Sequence, residues 1–123
     1  MISEGIDVNY KDKRYNRNAL NNFYFNVLRL SSEYMMQISK ILISSGICVN
    51  SNDKYNSIPL KYAITITKKA TEEIKAVYWY ILKEGFNYMK KDILGKSCID
   101  YANEYSWRTD FIKIVEEFKN ADK

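Results

Sequence analysis

The chain has 123 residues, of which 46% are hydrophobic and 28% charged, and its formal net charge is +4. These values describe one ordinary globular domain with a modest core, and they fall short of the concentrated basic footprint of a nucleic-acid binder. The longest apolar run, 76–82, is too short to cross a bilayer, and Glu4 and Asp7 stand where a basic-then-apolar leader would begin, so neither membrane insertion nor export is expected.

Glycines at 5, 46 and 85 are each followed seven residues later by an aspartate, Asp12, Asp53 and Asp92, and both series have spacings of 41 and 39. A pattern recurring at such a period predicts stacked repeats. In chain order, 1–9 reads as the tail of a preceding repeat, with a first turn around Asp12 and a helix over 19–30. Ser31 or Ser32 opens a second helix with Met35, Ile38, Ile41 and Leu42 inward, and Gly46 ends it. A second turn follows, with Asp53 bonding its own backbone and Asn56 suited to the left-handed region. Pro59 starts a short helix over 59–67. Thr71 then caps a helix whose stripe is Ile74, Val77, Tyr78, Ile81 and Leu82, with Glu72 and Glu73 in its first turn. Gly85 closes it. A third turn at Asp92 and Gly95, a helix over 98–105, and a last helix opened by Thr109 and Asp110 complete the chain. Phe111, Ile114, Val115 and Phe118 form that last stripe, and the polar residues 116–123 suit a solvent-facing cap. The division is therefore a single domain, 1–123, with repeats at 10–50, 51–89 and 90–123.

Ser57-Ile58-Pro59-Leu60-Lys61-Tyr62-Ala63 resembles the Thr-Pro-Leu-His-x-Ala motif of ankyrin repeats. Segment 95–102 repeats the pattern with Ser97, Ile99 and Ala102, whereas 16–23 is a weaker copy that keeps Leu20 but has Ala19 and Phe23 at the proline and alanine positions. The resemblance implies an all-α solenoid of stacked helix-turn-helix repeats with short β-turn fingers. Leu20, Leu60 and Ile99 then point inward, and small Ala63 and Ala102 let helices approach. Two repeats exceed the family's ~33 residues, and the excess falls at 26–32 and 65–70. The chain has no histidine, so Asn21, Lys61 and Asp100 replace it, and the family's hydrogen bond to the neighbouring turn is expected to be lost. Phe23, Phe25, Val27, Leu28 and Met36 form an apolar surface that an upstream repeat would cover, or through which the chain would self-associate.

Chemistry has little footing in this sequence. Without histidine there is no Ser-His-Asp or Cys-His set and no imidazole ligand, the four glycines form no phosphate loop, and Cys98 reads as a small buried residue. No catalytic residue, metal, cofactor or small-molecule substrate is expected. Cys48 and Cys98 lie in separate turns, which suits reduced thiols and a cytoplasmic setting, and the wealth of Ile, Lys, Asn and Tyr suits an AT-rich, bacterial genome. What the resemblance implies is a protein-binding face made of finger tips and first helices. The tips are read as 10–15, 53–55 and 88–92, and the candidate contact residues are Tyr10, Lys13, Arg14, Tyr15, Lys54, Tyr55, Lys61, Tyr62, Lys90, Lys91 and Tyr101. Tyr and Arg suit interface centres, and the lysines suit an acidic or mixed protein surface. The rival readings are a nucleic-acid binder using the same lysines, and a regulatory or immunity subunit of an enzyme or toxin.

Overall fold

A computed structural model describes residues 7–28 and 30–121. The readings placed on Gly5 and the rest of 1–6, and on 122–123, lie outside the described residues. Among the described residues there are six α-helices and no strand: α1 Ala19–Phe25, α2 Ser32–Ser44, α3 Pro59–Thr65, α4 Lys75–Lys83, α5 Cys98–Glu104 and α6 Asp110–Ala121. Single 3₁₀ turns, Thr71–Ile74 and Ser106–Arg108, lead into α4 and α6. α3 packs between α1 and α5 in one layer, and α4 packs between α2 and α6 in the other. The result is an all-α solenoid of three helix pairs.

The core follows the periodicity. Leu20, Leu60, Ala63, Ala102, Ile74, Val77, Tyr78, Ile81, Phe111, Ile114 and Val115 are all buried, so each pair closes on its neighbour through one apolar face. Local chemistry sets the ends. α1 stops at Phe25, short of 30, where the Asn26 side chain donates to the Asn22 carbonyl at 2.7 Å and competes with the helix ladder. Gly46 and Gly85 close α2 and α4 at φ of 94° and 89°, a region that a Cβ disfavours.

Three expectations need correction. Ile41 is exposed, and Ser39 turns into the core in its place because its hydroxyl bonds the buried Tyr24 hydroxyl at 2.6 Å. Val27 is fully buried, so it is no part of an apolar surface, although Phe25 and Leu28 remain exposed. Thr71 caps nothing; its hydroxyl donates to the Trp107 carbonyl at 2.9 Å and accepts from Arg108 at 3.2 Å.

Arg108 explains the lengthened loop after α3. It is fully buried and donates to the carbonyls of Ile64, Thr67 and Lys69 at 3.1, 3.0 and 3.0 Å. Its guanidinium therefore collects carbonyls that the end of α3 and the loop leave without partners, a need every short helix has. Burial pulls its pKa down, and no carboxylate touches it among the described residues.

Candidate functional site

Three hairpin-like turns project from the α1–α3–α5 edge, each closed by a backbone bond from its aspartate: Asp12 to Arg17, Asp53 to Ser57 and Asp92 to Lys96, at 2.8, 3.0 and 2.9 Å. The aspartate side chains bind the same turns. Asp12 accepts from the Tyr15 N–H, Asp53 from Tyr55 and Ser57, and Asp92 from Leu94 and Lys96. Asn16, Asn56 and Gly95 take the left-handed position, with φ of 57°, 59° and 77°. The first turn has one residue more than the others, and it falls before Asn16.

Neighbouring fingers are tied directly. The Lys54 N–H donates to the Tyr15 carbonyl at 2.7 Å, and the Ile93 N–H to the Tyr55 carbonyl at 3.0 Å. The bond expected to vanish with histidine survives in the first repeat: Asn21 forms a capping box with Asn18 and donates to the Ser51 carbonyl at 3.1 Å. Asn9 and Asn50, one period apart, repeat a second tie. Asn9 accepts from the Cys48 N–H, and Asn50 from Asn87. At the same offset the third repeat has Met89, which is exposed.

A third set of side chains couples fingers to helices. The Tyr62 hydroxyl donates to Asp53, the Tyr101 hydroxyl to Asp92, and in the first repeat the Asn22 amide donates to Asp12 at 3.1 Å. Tyr62 and Tyr101 are consequently buried, and their hydroxyls are engaged inside the protein. Burial, and then the carboxylate bond, push Tyr62 up to about 12 and raise Tyr101 as well. Arg17 is buried between the first two fingers. Its Nε donates to Asp53 and its Nη2 to the Tyr62 hydroxyl, both at 3.1 Å, and its guanidinium lies 4.2–5.0 Å from the rings of Phe25, Tyr15 and Tyr62.

Between the second and third fingers the edge opens into a groove of ≈ 460 Å³. Of the candidate contact residues, Tyr15, Tyr55, Lys61, Tyr62 and Tyr101 meet there. Lys13, Arg14, Lys54 and Lys91 are exposed along the fingers, Lys90 is half-buried, and Tyr10 lies apart, beside Asp7 and Asn22. Lys11 is no free tip cation, since its ammonium donates to the Asn52 carbonyl at 2.6 Å. The third tip is also different from the expectation at 88–92. The turn lies at Ile93-Leu94-Gly95, with Ile93 and Leu94 exposed by 67% and 72%. Counting one residue on from each aspartate would have placed Ile93-Leu94 opposite Lys54-Tyr55.

Arg17 lines the groove with the tyrosines and carries no sequence signal of its own, while Phe25, Ser57 and Asp92, legible as apolar surface, motif position and turn aspartate, give no sign in the sequence that they line it too. The Cys98 thiol is not activated at its helix start, because burial pushes it up to about 12. Among the described residues no cluster of His, Cys, Asp or Glu is placed to hold a metal, and no helix is long and apolar enough to cross a membrane.

Helix pairs in two layers with turns on one edge define an ankyrin-like repeat fold. The structure is similar to the ankyrin repeat domain of Bcl-3, described as a unique member of the IκB protein family, with a TM-score of 0.65 at 18% identity. The match covers 91% of this chain and 42% of the Bcl-3 domain chain, so this chain spans less than half of that array. No family model and no curated protein matches the sequence.

Proposed function

We propose that this chain is a non-catalytic module that binds a partner protein through its finger edge. The observation that carries this reading is the groove between the second and third fingers. There exposed apolar side chains, Ile93 and Leu94, stand beside tyrosines and Lys61, and Lys13, Arg14 and Lys54 are exposed elsewhere on the fingers. Apolar area ringed by polar and aromatic groups is the usual anatomy of an interface centre. The carboxylates that reach the groove region do not support hydrolytic chemistry. Asp53 accepts from two backbone N–H groups, Arg17 and Tyr62, and Asp92 from two N–H groups and Tyr101. Both carboxylates are committed to holding the fingers, and neither is paired with a second acid or base. The setting that best suits such a module with two unpaired thiols is the cytoplasm.

The test is affinity capture from the native cell with the unaltered chain and with Lys54→Ala/Tyr55→Ala. Both side chains are exposed, so the double variant should melt within a degree or two of the parent. Partners retained by the parent and lost by the variant place the interface on the finger edge. A partner set that the variant retains unchanged removes this face from consideration.

A further inference from the structure

The same position in successive turns is occupied by Arg17, Ser57 and Lys96, the residues whose carbonyls close the three fingers. Arg17 spans the gap between the first two fingers and seals it with Asp53. Ser57 is too short to do the same between the second and third, and this is where the groove opens. The repeat therefore leaves one inter-finger gap filled by the protein and one available to something else.

The hydrogen-bonding capacity left unused in that gap lies mainly with donors. The Lys61 ammonium lies 4.7 and 5.1 Å from the rings of Tyr62 and Tyr101 and has no carboxylate or carbonyl partner among the described residues. Burial holds its pKa below the ordinary lysine range, with Asp92 and then Asp53 acting in the opposite sense. The Ser57 hydroxyl is buried and has no hydrogen-bond partner, a rare condition that a ligand would relieve. Arg17, which also lines the groove, keeps Nη1 without a partner among the described residues. Of the acceptors nearby, Asp53 has both oxygens doubly engaged, whereas Asp92 keeps one lone pair on Oδ2 beside Tyr101.

From this arrangement we infer that the groove receives an acidic segment of the partner protein, in which an Asp or Glu carboxylate meets Lys61 and Ser57 while an adjacent aliphatic side chain packs on Leu94. The inference rests on the finger edge being the binding face, and it specifies the chemistry of the occupant. A carboxylate suits the site better than a phosphate. Arg17 is already paired with Asp53, which leaves Lys61 as the groove cation without a hydrogen-bonded counterion; one carboxylate meets it, whereas a dianion would be repelled more strongly by Asp53 and Asp92. A partner cation imitating Arg17 would find one lone pair of Asp92 Oδ2 beside Tyr101, but would have to enter next to the Lys61 ammonium. Both alternatives are outcomes of the test.

A heptapeptide library displayed on phage is selected against the full chain, and an enriched peptide is then made synthetically with Glu→Gln and phosphoserine replacements. Acidic-aliphatic sequences should emerge. Glu→Gln in the peptide and Lys61→Met in the protein should each weaken binding about tenfold or more, as expected for a charge-assisted hydrogen bond. Ser57→Ala should weaken it less and leave the melting temperature unchanged, because that hydroxyl has no partner to lose. It is therefore the variant to rely on should Lys61→Met prove unstable. Enrichment of basic or neutral peptides, tighter binding of the phosphoserine peptide, indifference to both Glu→Gln and the protein variants, or no enrichment at all would each overturn the inference. If one of these results appears while Lys54→Ala/Tyr55→Ala still abolishes partner capture, the binding face stands and only its occupant is wrong.

Discussion

Among the described residues two arginines are buried, at opposite ends of the helix pairs, and they are held in different ways. Arg17, on the finger edge, faces a carboxylate, a phenol and three aromatic rings. Arg108, at the far end of the α3–α5 layer, meets only carbonyls, the Thr71 hydroxyl and, 5.5 Å away, the Tyr78 ring. The first is an ion pair that joins two fingers which backbone bonds already connect. The second carries its charge on oriented dipoles and gathers three carbonyls from the end of α3 and its loop. What a buried cation is worth here depends on what its loss would strand. Losing Arg17 strands one carboxylate that keeps other donors, whereas losing Arg108 strands three carbonyls at once.

The largest expected effect follows from that difference. Arg108→Met keeps most of the side-chain volume and removes the donors, leaving the Ile64 and Thr67 carbonyls unpaired in the interior and the Lys69 carbonyl unpaired in a partly buried position. At about 1–3 kcal/mol for each stranded group, partly offset by loop relaxation, urea unfolding should show a loss of about 3–5 kcal/mol. That is a large share of the total stability expected of a domain this size. A loss under 1 kcal/mol would mean that the loop closes without its arginine and that the contrast drawn here is wrong.

Arg17→Met should cost less, about 2–3 kcal/mol, because Asp53 retains Tyr62 and two backbone N–H groups. A cost equal to that of Arg108→Met would show that the rings around Arg17 contribute as much as the ion pair. The same variant should widen the gap between the first two fingers toward the form already present between the second and third.

Much of this architecture was legible in the sequence, because the features that build it are periodic. The glycine and aspartate series, the motif around Pro59 and Leu60, and the stripes of α4 and α6 all repeat, and each has a local physical cause. The parts that could not be read are single events. Arg108 has no counterpart in the other repeats, and nothing in its neighbourhood in sequence points to a loop 37–44 residues earlier. Asn21 was read as the loss of a histidine bond, yet a shorter amide at the same position spans to Ser51. At the candidate site, the reading chose Tyr62 and Tyr101 for their chemistry. Their hydroxyls are engaged with Asp53 and Asp92 nine residues back, an i to i+9 relation that is visible only once a finger folds onto its helix. The groove exists because Ser57 is small, and smallness leaves no mark on a hydropathy pattern.

Buried tyrosines sharpen the comparison through pH. Tyr62 and Tyr101 sit against carboxylates, while Tyr24 and Tyr78 sit against the Ser39 hydroxyl and the Ala63 carbonyl; all four are raised above their ordinary value of 10.0, chiefly by burial. A phenol whose folded pKa exceeds its unfolded one keeps its proton while the unfolded chain loses it. The stabilisation is therefore complete below pH 10 and disappears as pH rises through the folded value, about 12 for Tyr62. Each such tyrosine should remove roughly 1.4 kcal/mol per pH unit in that window, with Lys61, held low, working weakly in the opposite sense. Urea midpoints between pH 9 and 11.5 should fall steeply, and Tyr62→Phe should flatten the slope by one group's share. A flat profile would mean that these phenols ionise freely in the folded protein.

The smallest effect tests whether the Arg108 cluster acts as a unit. Thr71 supplies one acceptor to Arg108 and one donor to the Trp107 carbonyl. Thr71→Val removes both while preserving shape. Arg108 would still hold its three carbonyls, and Trp107, a largely exposed residue, can find water for its own. The cost should therefore be only about 1 kcal/mol. Combined with Arg108→Met, the two losses should fall short of their sum, because the second change removes a bond that the first has already broken. Strict additivity would mean that Thr71 serves the 3₁₀ turn before α6 and has no share in holding the arginine. The α3 loop and the last helix pair would then be two independent attachments rather than one.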